Sequence, residues 1–286
     1  MSAAARSGVT GSFALGCALY FDRDLSVDST PLESLLRSLF AEGAFAQWMT
    51  SERTQQVGSP AAFDLGILMK KVRSGTIASA AVETPNRAPD AGRRFVLVQT
   101  TPAAKVCEAV PPRSWRYDLV AAFGAASLRE LGVSHVIDRL LAFAGAVRAT
   151  AGVIHWTDTA EYATGLAMCA GGGLTPAEEA RVVDSCDWRT DWGRIIRGPS
   201  WGTFLSPRHV DHLGGIEHVE RNSGCARVVR LTSGGAFLQL TPVEAPLVEE
   251  SLSRPAGRER ETPDNHTQLA ALARFLVPVM GRCSRD

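Results

Sequence analysis

The segment GPSWGTFLSPRHVDHLGG, Gly198–Gly215, holds a strand pattern, a helix start and a helix stop in close succession. Trp201–Leu205 is bulky, aromatic and β-branched, a composition typical of extended backbone. Ser206-Pro207 then supplies a capping hydroxyl and a proline for the first helical position. Gly214-Gly215 is a natural helix stop. The segment therefore predicts a strand, a short helix over 206–213 and a tight turn.

The same segment opens with G-P-S-W-G, which matches the G-x-S-x-G pattern of the serine hydrolase nucleophile elbow. An elbow serine lies at a sharp turn between a strand and a helix, but Ser200 is followed by extended residues. Asp211, His212 and His266 could complete a triad, although none lies in a recognisable loop motif. We therefore place Ser200 in or beside the strand and predict no enzymatic activity. A serine hydrolase that uses Ser200 is the alternative.

Composition excludes several function classes. The chain has 286 residues, of which 45% are hydrophobic, and its 30 basic residues balance 30 acidic ones. A general nucleic-acid binder would be basic. The six cysteines form no C-x-x-C pair, so we predict reduced thiols, no zinc ribbon and no cofactor. Because the polar stretch SGVTGS leads into the apolar run Ser12–Phe21, we interpret that run as a buried strand rather than a signal peptide, and expect a cytoplasmic protein.

Helix and strand patterns alternate along the chain. Apolar runs predict strands at Ser12–Phe21 and after Gly75, Arg93, Ser114 and Thr150, and CARVVRLTSGGAFLQLTP predicts a hairpin. Helical spacing predicts helices from Pro31 to about Met49, over 134–150, 159–170 and 176–186, and from about Asn265. This mixture favours an α+β fold with a mixed or antiparallel sheet packed with helices. We expect a loose terminus over 1–11 and one domain over 12–286, with sub-halves 12–150 and 151–286 that resemble each other.

The C-terminal half carries a combination of motifs. The first is Trp201, a spacer and Thr203-Phe204-Leu205, and a short helix then leads to Leu213-Gly214-Gly215. A valine-rich strand, a glycine turn and a second strand follow, and the last helix ends in FLVPV, Phe275–Val279. Over about residues 192–279 this combination resembles the type VI secretion immunity family.

The resemblance implies a bacterial protein that binds and neutralises a cognate secreted effector toxin by occluding its active site. In the best-understood branch of the family the effector is a nuclease of the restriction-endonuclease-like class. The family motif has no catalytic set, so the resemblance implies packing and backbone roles for its residues here. A binding or scaffold module unrelated to toxins is a third interpretation of the chain.

Four further clusters have competing interpretations. CDWRTDWGR offers Asp187, Trp188, Asp191 and Trp192 as toxin-binding candidates, because Trp is a typical hot-spot residue and aspartate matches a basic cleft. Core-edge tryptophans with surface charge pairs are the structural alternative. His209 and His212 could share a metal, but solvated histidines are favoured and we predict no metal site. CAGGGLTP is interpreted as a helix linker rather than a phosphate loop, and RPAGRERETPDN as a solvated loop.

Overall fold

The structure of the protein is a computed structural model that describes residues 14–40, 44–50, 61–84, 92–100, 117–157, 200–241 and 263–279. The strands are β1 (Ala14–Phe21), β2 (Phe45–Thr50), β3 (Ala61–Ala62), β4 (Ile77–Glu83), β5 (Arg94–Gln99), β6 (Tyr117–Phe123), β7 (Ala151–Thr157), β8 (Gly202–Leu205), β9 (Arg227–Arg230) and β10 (Ala236–Gln239). The helices are α1 (Thr30–Leu39), α2 (Leu65–Arg73), α3 (Ala125–Leu131), α4 (Val133–Val147), α5 (Pro207–His212), α6 (Ile216–Asn222) and α7 (Pro263–Leu276), which a 3₁₀ turn, Val277–Val279, extends.

All ten described strands form one sheet, in the order β3-β2-β4-β5-β6-β1-β7-β8-β10-β9. Each pairing between neighbours in that order is antiparallel. The prediction of an α+β fold with an antiparallel sheet is therefore confirmed. The sheet is continuous across position 150, and the two sub-halves stay a prediction. The predicted loose terminus, 1–11, lies outside the described residues.

The central strand β1 explains the apolar N-terminal run. Leu19 pairs with Leu119 of β6 on one side and with Gly152 of β7 on the other. Alternate β1 residues, among them Leu19 and Cys17, belong to the main hydrophobic core together with the buried leucines of α1 and residues of α4. The residues between them face the other side of the sheet, where Ala18 packs with Val120. A strand with apolar residues on both faces has no polar alternation, as the sequence predicts.

Two arginines of β9 show that helices lie on both faces at the C-terminal end of the sheet. Arg227 pairs with Asp138 of α4 at 3.3 Å, and Arg230 pairs with Glu220 of α6 at 2.8 Å. Residues three apart on a strand point to opposite faces. The helix α4 therefore covers one face and α6 the other. The helix α5 packs against α6 and belongs to that second group.

The predicted helix from Pro31 to about Met49 is wrong beyond residue 39. The helix α1 ends at Leu39, and residues 45–50 form β2. Within β2, Ala46 is buried whereas Phe45 is 38% exposed, which is the two-residue period of a strand. Pairing with β4 overrides the helical spacing that continues past α1.

Thr30 and Glu33 have the T-x-x-E spacing of a capping box, but this box does not form at the start of α1. Ser29 occupies the N-cap position of α1 without a side-chain cap. The carboxylate of Asp28 accepts the Thr30 N–H at 3.0 Å. Glu33 instead pairs with Arg37 and Arg73, each at 2.8 Å. This side chain therefore links α1 to α2 rather than closing the N-terminus of α1.

The helices α2, α3 and α6 were not predicted from the sequence. The seven residues of α3 and of α6 give too few turns for a clear apolar period. The helix α2 begins at an Asp64 cap, whose carboxylate accepts the Ile67 N–H at 2.9 Å. The helices predicted over 159–170 and 176–186 lie outside the described residues.

Candidate functional site

Ser200 lies directly before β8 and is held by the neighbouring backbone. Its Oγ–H donates to the carbonyl of Ile154 at 2.9 Å, and its N–H donates to Oγ1 of Thr203 at 3.0 Å. The residues that follow Ser200 form a strand rather than a helix, so the geometry of a nucleophile elbow is missing in this described segment. The position of Ser200 beside the strand is confirmed. Its hydroxyl joins the start of β8 to β7.

Trp201 connects the start of β8 to the neighbouring strands. Its side chain is 9% exposed, and its indole Nε1–H donates to Oγ1 of Thr241 at 3.0 Å. Its backbone carbonyl accepts the Leu240 N–H at 2.8 Å. The ring meets that of Trp156 edge to face, with centroids 5.6 Å apart. Trp201 therefore fixes both β7 and the end of β10 against the start of β8.

The spacer between Trp201 and Thr203 is a glycine because an aromatic ring occupies the adjacent space. A Cβ at position 202 would lie 2.7 Å from Cε2 of Phe237, closer than real contacts of this kind. Phe237 is fully buried and its ring packs against that of Phe204, its partner across β8 and β10, with centroids 4.8 Å apart. Thr203 and Leu205 are also buried. This stretch of the motif is part of the hydrophobic core.

The motif ends in a turn that requires glycine. Leu213 is buried, and Gly214 and Gly215 have φ angles of 91° and 92°, a region that disfavours side chains. The Gly215 N–H donates to the carbonyl of Val210 at 2.9 Å and closes α5. The chain thereby reverses directly into α6.

The predicted cap at Ser206-Pro207 is confirmed, and it uses a histidine. Ser206 Oγ accepts the His209 N–H at 3.2 Å, while His209 Nδ1 accepts the Ser206 N–H at 3.1 Å. His209 is fully buried, so the interpretation of both histidines as solvated is wrong for His209, whereas His212 is exposed as that interpretation expects. Within the described ranges there is no group of three or more His, Cys, Asp or Glu residues that could hold a metal ion.

The toxin-binding candidates Asp187, Trp188, Asp191 and Trp192 lie outside the described residues, as do CAGGGLTP and residues 254–262 of RPAGRERETPDN; its last three residues begin α7. Of the six cysteines, the structure describes Cys17 and Cys225, and both are free thiols as predicted. Burial raises the pKa of each thiol, and thiolate chemistry is correspondingly disfavoured.

The loop between β1 and α1 contains a dense set of polar contacts. Asp24 accepts hydrogen bonds from the N–H and the hydroxyl of Ser26, at 2.8 and 2.7 Å. Asp28 pairs with Arg23 and accepts the Thr30 N–H. The Thr30 hydrogen bonds, followed by the charge of Arg23, hold the pKa of Asp28 below its ordinary value. The carboxylates therefore order this loop while they are ionised.

Beside this loop the structure gathers three arginines that the sequence analysis did not single out: Arg23, Arg139 and Arg148. They line two cavities at the C-terminal end of α4. Arg148 could have been noticed in the sequence, because it stands at the end of a helix, where glycine is the common residue. The predicted helix over 134–150 extended across that position, so the signal was missed. Arg23 and Arg139 have no such signal, because only the packing of α1 against α4 brings them together.

No helix among the described residues is long and apolar enough to cross a membrane. No protein-family model matches the sequence, and no curated protein matches it either. Among solved structures, the Pseudomonas aeruginosa T6SS protein PA0821 is similar in fold, with a TM-score of 0.60. The match covers 94% of this chain and 74% of that chain, at 13% sequence identity. The likeness shows that this chain shares the fold of a type VI secretion system protein.

Proposed function

We propose that this chain is an immunity protein that binds a cognate type VI secreted antibacterial effector and neutralises it by occluding the effector's active site. The observation that carries the proposal is the fold shared with a T6SS protein over 94% of this chain. The motif resemblance over residues 192–279 agrees with this system, but no protein-family model matches the sequence, and the immunity family itself stays a prediction.

The geometry of the motif argues against Ser200 as a nucleophile. The hydroxyl of Ser200 donates to the Ile154 carbonyl, and Trp201, Phe204 and Leu205 are buried in the core. These contacts support a structural role for the motif. We therefore propose that the chain has no catalytic role and requires no cofactor.

The effector we propose is a nuclease that acts in the cytoplasm, so the immunity protein would act in the same compartment. A nuclease binds DNA through a basic cleft, and carboxylates of an inhibitor can occupy the phosphate positions. Asp187 and Asp191 are the proposed carboxylates, with Trp188 and Trp192 as neighbouring anchors. A tight inhibitor interface buries ~1,600 Å² in total.

Co-expression tests the proposal. Each effector encoded beside this gene is expressed in a susceptible host, with this protein, with its Ser200→Ala variant or with an empty vector. We expect the wild type and Ser200→Ala to restore growth equally, because neutralisation needs binding and no nucleophile. An effector inactivated at its own active site is the control for toxicity. If no adjacent effector is neutralised by the wild type, the immunity proposal is wrong.

A further inference from the structure

The helices α1 and α4 enclose a cavity of about 300 Å³ that opens at the surface, here called the α1–α4 groove. Its apolar floor is formed by Pro31 and by Leu35 and Phe143, each of which is only 2% exposed, and its charged side includes Arg23, Asp28 and Arg139. A concave site with apolar walls and a few polar groups suits an inserted side chain of a partner.

A second cavity of about 470 Å³ adjoins this groove, and Arg23 and the C-terminal turn of α4 contribute to both. Val147 and Arg148 line the second cavity. The guanidinium of Arg23 donates to the carbonyl of Ala146 and pairs with Asp28. The two cavities therefore share Arg23 and lie near the end of α4.

Among its described lining residues this surface carries a small positive charge. Three arginines and the two carboxylates Asp22 and Asp28 give a net charge of +1. Asp28 pairs with Arg23, whereas Arg139 and Arg148 have no ion-pair partner in the described part of the chain. Arginine is one of the residue types enriched in binding hot spots.

The backbone of Arg148 adds an independent observation. Its φ of 55° and ψ of 57° are left-handed, and it is the one non-glycine residue with positive φ among those described. Glycine is the usual residue at this kind of helix end, and a side chain here is disfavoured. A disfavoured conformation that carries an exposed, unpaired side chain points to a function for that side chain.

We propose that the α1–α4 groove and its neighbouring cavity bind a segment of the cognate effector in which a carboxylate lies next to an apolar side chain. This inference rests on the proposed immunity function. The apolar walls would take the hydrophobic side chain, and Arg139 and Arg148 would pair with the carboxylate. Arginine suits this role because its planar guanidinium binds a carboxylate with two hydrogen bonds.

The test compares stability and affinity in the same variants. Arg148→Gly removes the side chain and relieves the left-handed strain, so the melting temperature should rise by ~2–4 °C. Its affinity for the purified, catalytically inactive effector should nevertheless fall at least ~10-fold. Arg139→Glu should weaken binding further at an unchanged melting temperature. Arg208→Glu is the matched control, because Arg208 is an exposed arginine on α5, in the other helix group, with no ion-pair partner among the described residues.

Calorimetric titration measures the affinity of each variant for the effector, and thermal melts measure its stability. Binding within twofold of wild type for both Arg148→Gly and Arg139→Glu overturns the inference while leaving the immunity function intact. If the wild-type protein binds none of the effectors encoded beside its gene, both the inference and the proposed immunity function are wrong. Concentration-dependent self-association in sedimentation that is lost in Arg139→Glu would instead assign the groove to a second copy of this chain, which also overturns the inference.

Discussion

Phe237 occupies the space that a side chain at position 202 would need. A Cβ on Gly202 would lie 2.7 Å from Cε2 and 2.8 Å from Cζ of the Phe237 ring. The two residues lie on neighbouring strands, β8 and β10, and the ring is fully buried. The glycine inside the W-x-T-F-L motif is therefore a packing requirement of this particular core.

Gly202→Ala should lower the free energy of unfolding by ~1–3 kcal/mol, because the added methyl group overpacks the core. Phe237→Leu alone should also lower the free energy of unfolding, because the smaller side chain buries less apolar area. The double variant should lose at least ~0.5 kcal/mol less stability than the sum of the losses in the two single variants, since the smaller side chain leaves room for the methyl group. Urea unfolding of the four proteins measures the coupling. Additive costs would show that the ring does not restrict position 202.

Trp201 and Ser200 should differ sharply in their effects on stability. Trp201→Ala empties a large buried site and should cost ~3–5 kcal/mol, a substantial part of a total stability of ~5–15 kcal/mol. Ser200→Ala removes one hydroxyl and should cost at most ~1–3 kcal/mol. Thermal melts of both variants check this order. Stoichiometric labelling of Ser200 by a fluorophosphonate probe, with an esterase activity that Ser200→Ala abolishes, would instead favour a hydrolase.

Local patterns predicted much of this fold and little of its surface. Five strands were recognisable because each is apolar over the length of a strand: β1, β4, β5, β6 and β7. The cap at Ser206 was recognisable because its residues lie close together in the sequence. The strand β2 was missed because its pairing with β4 depends on contacts that helical spacing cannot reveal.

The candidate surface was harder to predict for the same reason. Arg139 and Arg23 are far apart in sequence, and their proximity follows from the packing of α1 against α4. The left-handed end of α4 at Arg148 could not be located while the predicted helix extended to residue 150. Side-chain environments formed by tertiary packing leave no periodic signal in the chain.

Acid should loosen the loop that borders the α1–α4 groove. The pKa of Asp28 is lowered in the folded protein, chiefly by hydrogen bonds from Thr30. The ionised carboxylate therefore stabilises the fold above the ordinary aspartate pKa of about 3.9, and this contribution is lost as the pH falls through the lower folded value. An NMR titration should place the Asp28 midpoint below the ordinary value for an aspartate.

The variant Arg23→Gln should move the Asp28 midpoint upward, because the nearby positive charge is removed. Arg37→Gln, which removes the partner of Glu33 instead, should leave the Asp28 midpoint in place. A midpoint that does not respond to Arg23→Gln would show that the ion pair of Arg23 and Asp28 is not maintained in solution.

The acidic candidates make a separate kinetic prediction. Charge reversal at Asp187 and Asp191 should slow association with a nuclease effector and reduce the salt dependence of the association rate, because long-range attraction to the basic cleft is lost. Stopped-flow association over a salt series measures both quantities. Association rates equal to those of the wild type at every salt concentration would remove these aspartates from the interface.

Titration of the purified effector with this protein, followed through the effector's own activity, tests the account most directly. Effector activity should fall linearly to the background level at one molar equivalent, as expected for a tight complex that occludes the active site. The Trp201→Ala variant should inhibit poorly at the temperature where it unfolds. Full effector activity at a large excess of folded wild-type protein, for every effector encoded beside the gene, would contradict the account.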